Sequence, residues 1–114
     1  MQNTLRSGSD VVIRTDAWDK AQHFYGSVLG LTVSHQGETL VGYETGAFRL
    51  YIEKGSAHGP VFEFLVPEVE PAKRVLLLAG CSVVEEDASV PRCYLRDPFG
   101  MVFNLRAEPG KNRD

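Results

Sequence analysis

Cysteine is scarce in this chain. Its 114 residues include two, Cys81 and Cys93, with no Cys-x-x-Cys spacing. That is too few for a disulfide framework and the wrong pattern for a zinc site, so both read as reduced, partly buried thiols. Clustered positive charge is also missing. Twelve Lys and Arg stand against fifteen Asp and Glu, for a net −3, and no basic block faces a phosphate backbone. A nucleic-acid partner is therefore not expected. No apolar run approaches the ~18 residues of a membrane span, and the polar start Met1–Asp10 lacks a signal-peptide core. The expectation is a cytoplasmic protein with no membrane partner. The chain does have 43% hydrophobic residues in 12.6 kDa, ordinary for a globular protein. At that mass about two-thirds of the extended surface can be buried, enough for one domain.

The apolar pattern runs through the same order twice. Val11–Thr15 is short and β-branched, a strand. Asp16 offers an N-cap to a helix over residues 17–29, where Trp18, Ala21, Phe24, Tyr25, Val28 and Leu29 form one stripe and Gly30 ends it. Three strands follow, at 31–36, 39–44 and 48–53. After a loop, Val61–Val66 is a strand. Glu70 and Pro71 open a second helix, with Pro71 at its first position, and Ala72, Val75, Leu76 and Ala79 supply its stripe. Gly80 ends it, and strands at 82–86, 92–96 and 101–106 complete the repeat. Asp97-Pro98-Phe99-Gly100 has the residues of a type I turn. The expected fold is α+β: two βαβββ modules in tandem, each a curved mixed sheet covered by one helix. A single domain over 10–107 holds module one (10–54) and module two (60–107). Residues 1–9 and 108–114 lack an apolar pattern and are expected to be mobile.

Period-two alternation separates the two faces of each sheet. Val11, Ile13, Phe48, Leu50, Ile52, Phe62, Phe64, Val66, Phe103 and Leu105 point to the helices. Asp10, Val12, Arg14, Arg49, Tyr51, Glu53, Val61, Glu63, Leu65, Val102, Asn104 and Arg106 point the other way. That second face is unusually polar. Glu63, mid-strand between two phenylalanines, is the best candidate for a catalytic acid–base, since an inward charge there needs a reason. The alternative for Glu53 and Glu63 is ion pairing with Arg49 or Arg106. Tyr51 and Arg49 suit a planar or anionic ligand. His23 and His35 read as surface residues, and His58 as a residue that a bulge would bring to the rim. Glu85-Glu86-Asp87 reads as a solvated acidic edge.

Two segments look familiar. Phe24-Tyr25-Gly26-Ser27-Val28-Leu29-Gly30-Leu31 resembles the FY-x-x-x-LGL helix end of the glyoxalase, bleomycin-resistance and extradiol dioxygenase (vicinal oxygen chelate) superfamily. Tyr94-Leu95-Arg96-Asp97-Pro98-Phe99-Gly100-Met101 is similar to the DP-x-G-N turn before that superfamily's last strand. With the duplicated order between them, the resemblance covers residues 10 to 107. In metal-dependent members it implies four inward ligands, which fall here on Asp10 (or Ser9), Tyr51, Val61 and Asn104. Valine cannot ligate and a neutral amide ligates poorly. The expectation is thus a metal-independent small-molecule-binding protein with no cofactor, similar to the antibiotic-sequestering members. Its ligand would be held by Arg49, Tyr51, Glu53, Glu63, Asn104 and Asp10. The alternative is a metal-dependent lyase, isomerase or dioxygenase with an atypical carboxylate site at Asp10, Glu53 and Glu63. A third reading keeps the fold for a structural or regulatory role. Chains of this length in the superfamily imply a homodimer.

Overall fold

The computed structural model describes residues 5–108. The expected tail from 109 onward and the first four residues lie outside the described residues. In chain order the elements are β1 (Arg6–Ser7), β2 (Asp10–Thr15), α1 (Trp18–Gln22) running on as a π-helix (His23–Val28), β3 (Thr32–Gln36), β4 (Leu40–Glu44) and β5 (Arg49–Lys54). Then come β6 (His58–Val66), α2 (Val69–Leu78), β7 (Ser82–Asp87), β8 (Arg92–Arg96) and β9 (Val102–Ala107). The chain forms two compact units. One is Ser9–Pro60; the other begins at Val61 and includes the N-terminal residues through Gly8. No helix among the described residues is long and apolar enough to cross a membrane.

In the first unit β2 runs parallel to β5, which pairs antiparallel with β4, and β4 with β3. Ile52 and Val41 are fully buried beneath the helix, and Ile13, Trp18, Ala21, Tyr25, Leu31 and Leu50 pack around them. The expected stripe is only half used. Phe24, Val28 and Leu29 are exposed. The cause is the π-helical stretch, where the Leu29 N–H bonds the Phe24 carbonyl five residues back. Past this stretch Gly30 takes a positive φ of 71°, and Leu31 packs against the core. Asp16 does not cap the helix as expected. The N-cap position is Ala17, without a side-chain bond, and the Ala17 N–H donates to the Thr15 hydroxyl instead. Phe48 precedes β5 and is exposed rather than core.

The second unit repeats this order. β6 runs parallel to β9, which pairs antiparallel with β8, and β8 with β7. Val66, Ala72, Cys93, Leu95, Phe103 and Leu105 form its core, with Val69 and Leu76 of α2 against them. The duplication extends to a fault in the ladder: register shifts between Val33 and His35 in β3 and between Val83 and Glu85 in β7. The helix starts earlier than expected, so Pro71 is its third residue rather than its first. It still sits in the opening turn, where its missing N–H leaves no bond unmade. Phe62, expected in the core, is 44% exposed. Glu85 and Glu86 are not a free acidic edge, because they pair with Arg92 and Lys73. The N-terminal stretch, expected to lack structure through residue 9, supplies β1, which pairs antiparallel with β6. The Asp97 turn forms as expected: its carboxylate accepts the Phe99 and Met101 N–H groups, and Gly100 takes the positive φ of 103°.

Burial pushes both thiols, Cys81 and Cys93, above their ordinary pKa. A raised acid stabilises the fold fully below its unfolded pKa, ~8.5 for a thiol, and loses that contribution as pH rises through the folded value. Thermal melts are therefore expected to drop above about pH 8.5, by less in Cys93→Ala than in the parent protein. Equal drops in both proteins would show that Cys93 is not the group responsible.

Candidate functional site

The helix-free face of the first unit carries a polar ladder fixed by the parallel register of β2 and β5. Asp10 stands opposite Arg49, Val12 opposite Tyr51, and Arg14 opposite Glu53. Parallel pairing in this register brings opposite charges side by side at both ends, so they bond. Arg49 Nε donates to Asp10 Oδ1 at 2.9 Å, and Arg14 Nε donates to a Glu53 carboxylate oxygen at 3.0 Å. Asp10 and Glu53 side chains are 17% and 23% exposed, so these pairs are partly shielded from water. Hydrogen bonding to Asp10 is the first cause that raises the Arg49 pKa. Arg49 also reaches the Ser9 hydroxyl at 3.3 Å. Tyr51 sits between the two ion pairs, with its ring against Gly42 on β4, its register partner. A Cβ at Gly42 would lie 2.7 Å from Tyr51 Cε1, so glycine is what lets the ring lie flat there.

In the second unit one cross-strand row runs Glu63, Asn104, Tyr94, Glu85. Glu63 is 8% exposed, and a guanidinium nitrogen of Arg106 lies 3.2 Å from its carboxylate. Gly8 closes over it: its N–H donates to the Glu63 carbonyl at 2.8 Å, and a Cβ there would overlap the Glu63 carboxylate. Asn104 Oδ1 accepts the Cys93 N–H at 2.8 Å, just where the β8–β9 ladder ends. Tyr94 is 3% exposed, with the Arg92 guanidinium 5.1 Å from its ring centre. Sequence reasoning missed Tyr94 and Gly42. Alternation with Leu95, and with Val41 and Tyr43, carried the signal for both.

The six expected site residues thus divide, with Asp10, Arg49, Tyr51 and Glu53 in one unit and Glu63 and Asn104 in the other. Glu53 pairs with Arg14, a partner that alternation did not single out. His58 opens β6, and its Nδ1–H donates to the Gly59 carbonyl. His23 and His35 are exposed.

A glyoxalase-like domain model matches residues 10–106. The chain belongs to the glyoxalase-like domain family. This glyoxalase-like domain has the fold of a glyoxalase/bleomycin resistance protein/dioxygenase superfamily member from Vibrio splendidus 12B01, at 19% identity and a TM-score of 0.65 over 92% of this chain and 100% of that one. It is also similar to homoprotocatechuate 2,3-dioxygenase from Brevibacterium fuscum, solved with 3,4-dihydroxyphenylacetate, at 27% identity and a TM-score of 0.61. That match takes in 90% of this chain and 36% of the dioxygenase, so the glyoxalase-like domain spans about a third of that enzyme. A hypothetical protein from Bacillus halodurans C-125 matches end to end at 11% identity and a TM-score of 0.67. No curated protein matches the chain.

The superfamily resemblance implies a metal in the dioxygenase-type members, and the donors of this domain do not fit one. The register makes Val61 the counterpart of Asp10, and Asn104 that of Tyr51. Val61 is an aliphatic residue 3% exposed, and Asn104 spends its carbonyl on the Cys93 backbone. The alternative carboxylates fare no better. Asp10, Glu53 and Glu63 each face a guanidinium, which a cation would have to displace. Among the described residues no three His, Cys, Asp or Glu side chains form a group able to hold a metal ion.

Proposed function

We propose that this glyoxalase-like domain is a metal-independent binding protein for a small molecule held against a helix-free sheet face. The observation that carries the reading is the set of three guanidinium–carboxylate pairs standing where a metal site would need unengaged carboxylates. Such pairs offer a guest charged hydrogen bonds to nitrogen and oxygen, at partly desolvated positions where they are strongest. Tyr51 supplies a flat apolar surface between two of them. Asn104, its carbonyl already bonded, has amide N–H donors to give. Glu63 is the remaining catalytic candidate, and taking up a proton would cost it the pair with Arg106.

Metal analysis and native mass spectrometry of protein purified without chelator test this together. The expected result is a co-purified organic molecule and less than one metal ion per chain. One zinc, iron, nickel or manganese ion per chain would replace this reading with the metal-dependent lyase, isomerase or dioxygenase. That alternative draws its support from the likeness to the ring-cleaving dioxygenases.

We propose further that the domain is a homodimer. Exposed Val28, Leu29, Val33, Leu78 and Val83 supply apolar surface that a second copy would cover. The same native spectra report the assembly's mass, and a monomer would exclude the dimer.

A further inference from the structure

Away from the helix-free face, the second unit has a cavity of about 310 Å³ between the first turn of α2 and the ends of β7, β8 and β9. Its floor is Val69, Cys93 and Leu105, the last two buried in the core. Ala88, Pro91 and Ala107 form part of its rim. Four charged side chains also border it: Glu70, Glu86, Arg92 and Arg106. Three of them are already matched in pairs, Glu86 with Lys73, Arg92 with Glu85 and Arg106 with Glu63. Glu70 lies within the field of Lys73, one turn along the same helix. The cavity therefore presents an apolar floor within a rim whose charges are balanced. An ion entering it would lose water without gaining an uncompensated partner. An apolar guest would shed its hydration shell and leave no charge uncompensated.

We propose that this cavity is a binding site for an uncharged, flat apolar molecule of one or two rings. Size sets the guest: an apolar cavity of ~150 Å³ takes one benzene, so this one has room for a fused bicycle. The floor also carries its own reporter, because a guest resting on Leu105 covers the Cys93 thiol beside it. None of Asp10, Arg49, Tyr51, Glu53, Glu63 and Asn104 lines it; the one residue it shares with the proposed function is Arg106, through its pair with Glu63.

Indole is the probe, with indole-3-acetate as its charged counterpart, both titrated into the full chain. Cys93 alkylation by iodoacetamide is followed by peptide mass spectrometry, and Cys81 serves as the internal control. At ten times its Kd, indole is expected to slow Cys93 alkylation about tenfold, the fraction of free sites setting the rate, and to leave Cys81 unchanged. Indole-3-acetate is expected to bind more weakly. Ala88→Trp at the rim and Ala107→Leu across from it are each expected to abolish the indole effect, whereas Tyr51→Ala retains it. Because both alanines are exposed, the fold is checked by circular dichroism, and either variant alone suffices if the other misfolds. The proposal is overturned by the lack of saturable protection, by protection that survives both rim variants, or by protection lost in Tyr51→Ala. Tighter binding of indole-3-acetate would also overturn it, by showing a cationic site.

Discussion

Leu95→Ala is expected to destabilise the protein by about 3 kcal/mol, within the usual range for emptying a sealed leucine site. Leu95 is fully buried, and its register partner Phe103 is 3% exposed. Core contacts with Val66 and Leu105 leave the neighbouring backbone little freedom to collapse into the gap. For a chain of this size that loss lowers Tm by roughly 15 °C. Leu78→Ala is the control. Leu78 is 90% exposed, so its loss is expected to change stability by less than about 0.5 kcal/mol. Urea unfolding measures both. A Leu95→Ala cost below about 1 kcal/mol would mean that the core of the second unit is not closed around this side chain.

Tyr51→Ala is expected to weaken retention of the co-purified molecule about thirtyfold, the equivalent of ~2 kcal/mol for a central aromatic contact. The ring is the one large flat surface between the Asp10–Arg49 and Arg14–Glu53 pairs, so alanine leaves charge without a stacking platform. Gly42→Ala approaches the same ring from the other side. Its methyl group, 2.7 Å from Cε1 if nothing moved, must push Tyr51 out of place. Binding should therefore fall in both variants, while Phe99→Ala, at a fully solvated turn, leaves it unchanged. Titration calorimetry with the identified molecule gives the three affinities. A Tyr51→Ala protein that retains full affinity would remove the first unit's face from the site.

Alternation explains why the polar ladder around Tyr51 is legible in the sequence. Alternation needs only one anchored residue per strand. Ile13 and Ile52 fixed the inward phase of β2 and β5, and Asp10, Arg14, Arg49, Tyr51 and Glu53 fell on the other face in consequence. The same rule succeeded for Asn104 and Arg106 against Phe103 and Leu105. It failed at Phe48, which precedes β5, and at Phe62, within β6, both of which are exposed. Alternation gives a direction; burial depends on what lies in that direction.

The pairings were less legible. Glu53 had several arginines within reach on paper, and only the parallel register of β2 and β5 selected Arg14. The Asn104 carbonyl replaces a missing ladder bond at Cys93, a detail set by where β8 and β9 part. The π-helical turn after Gln22 was invisible for a similar reason. Spacing alone cannot distinguish a four-residue from a five-residue return when apolar side chains occur at both, and packing of Tyr25 and Leu31 made the choice.

By itself, then, the amino-acid order determined the duplicated βαβββ arrangement, the glycine and Asp-Pro punctuation, and which face of each strand is polar. These follow from local periodicity and backbone sterics, which act over a few neighbouring residues. Tertiary structure alone decided which carboxylate meets which guanidinium, that Gly8 folds over Glu63, and that a cavity opens beneath the start of α2. Those outcomes join residues far apart in the chain, and their geometry is set by strand register and helix placement rather than by any property of the segments themselves.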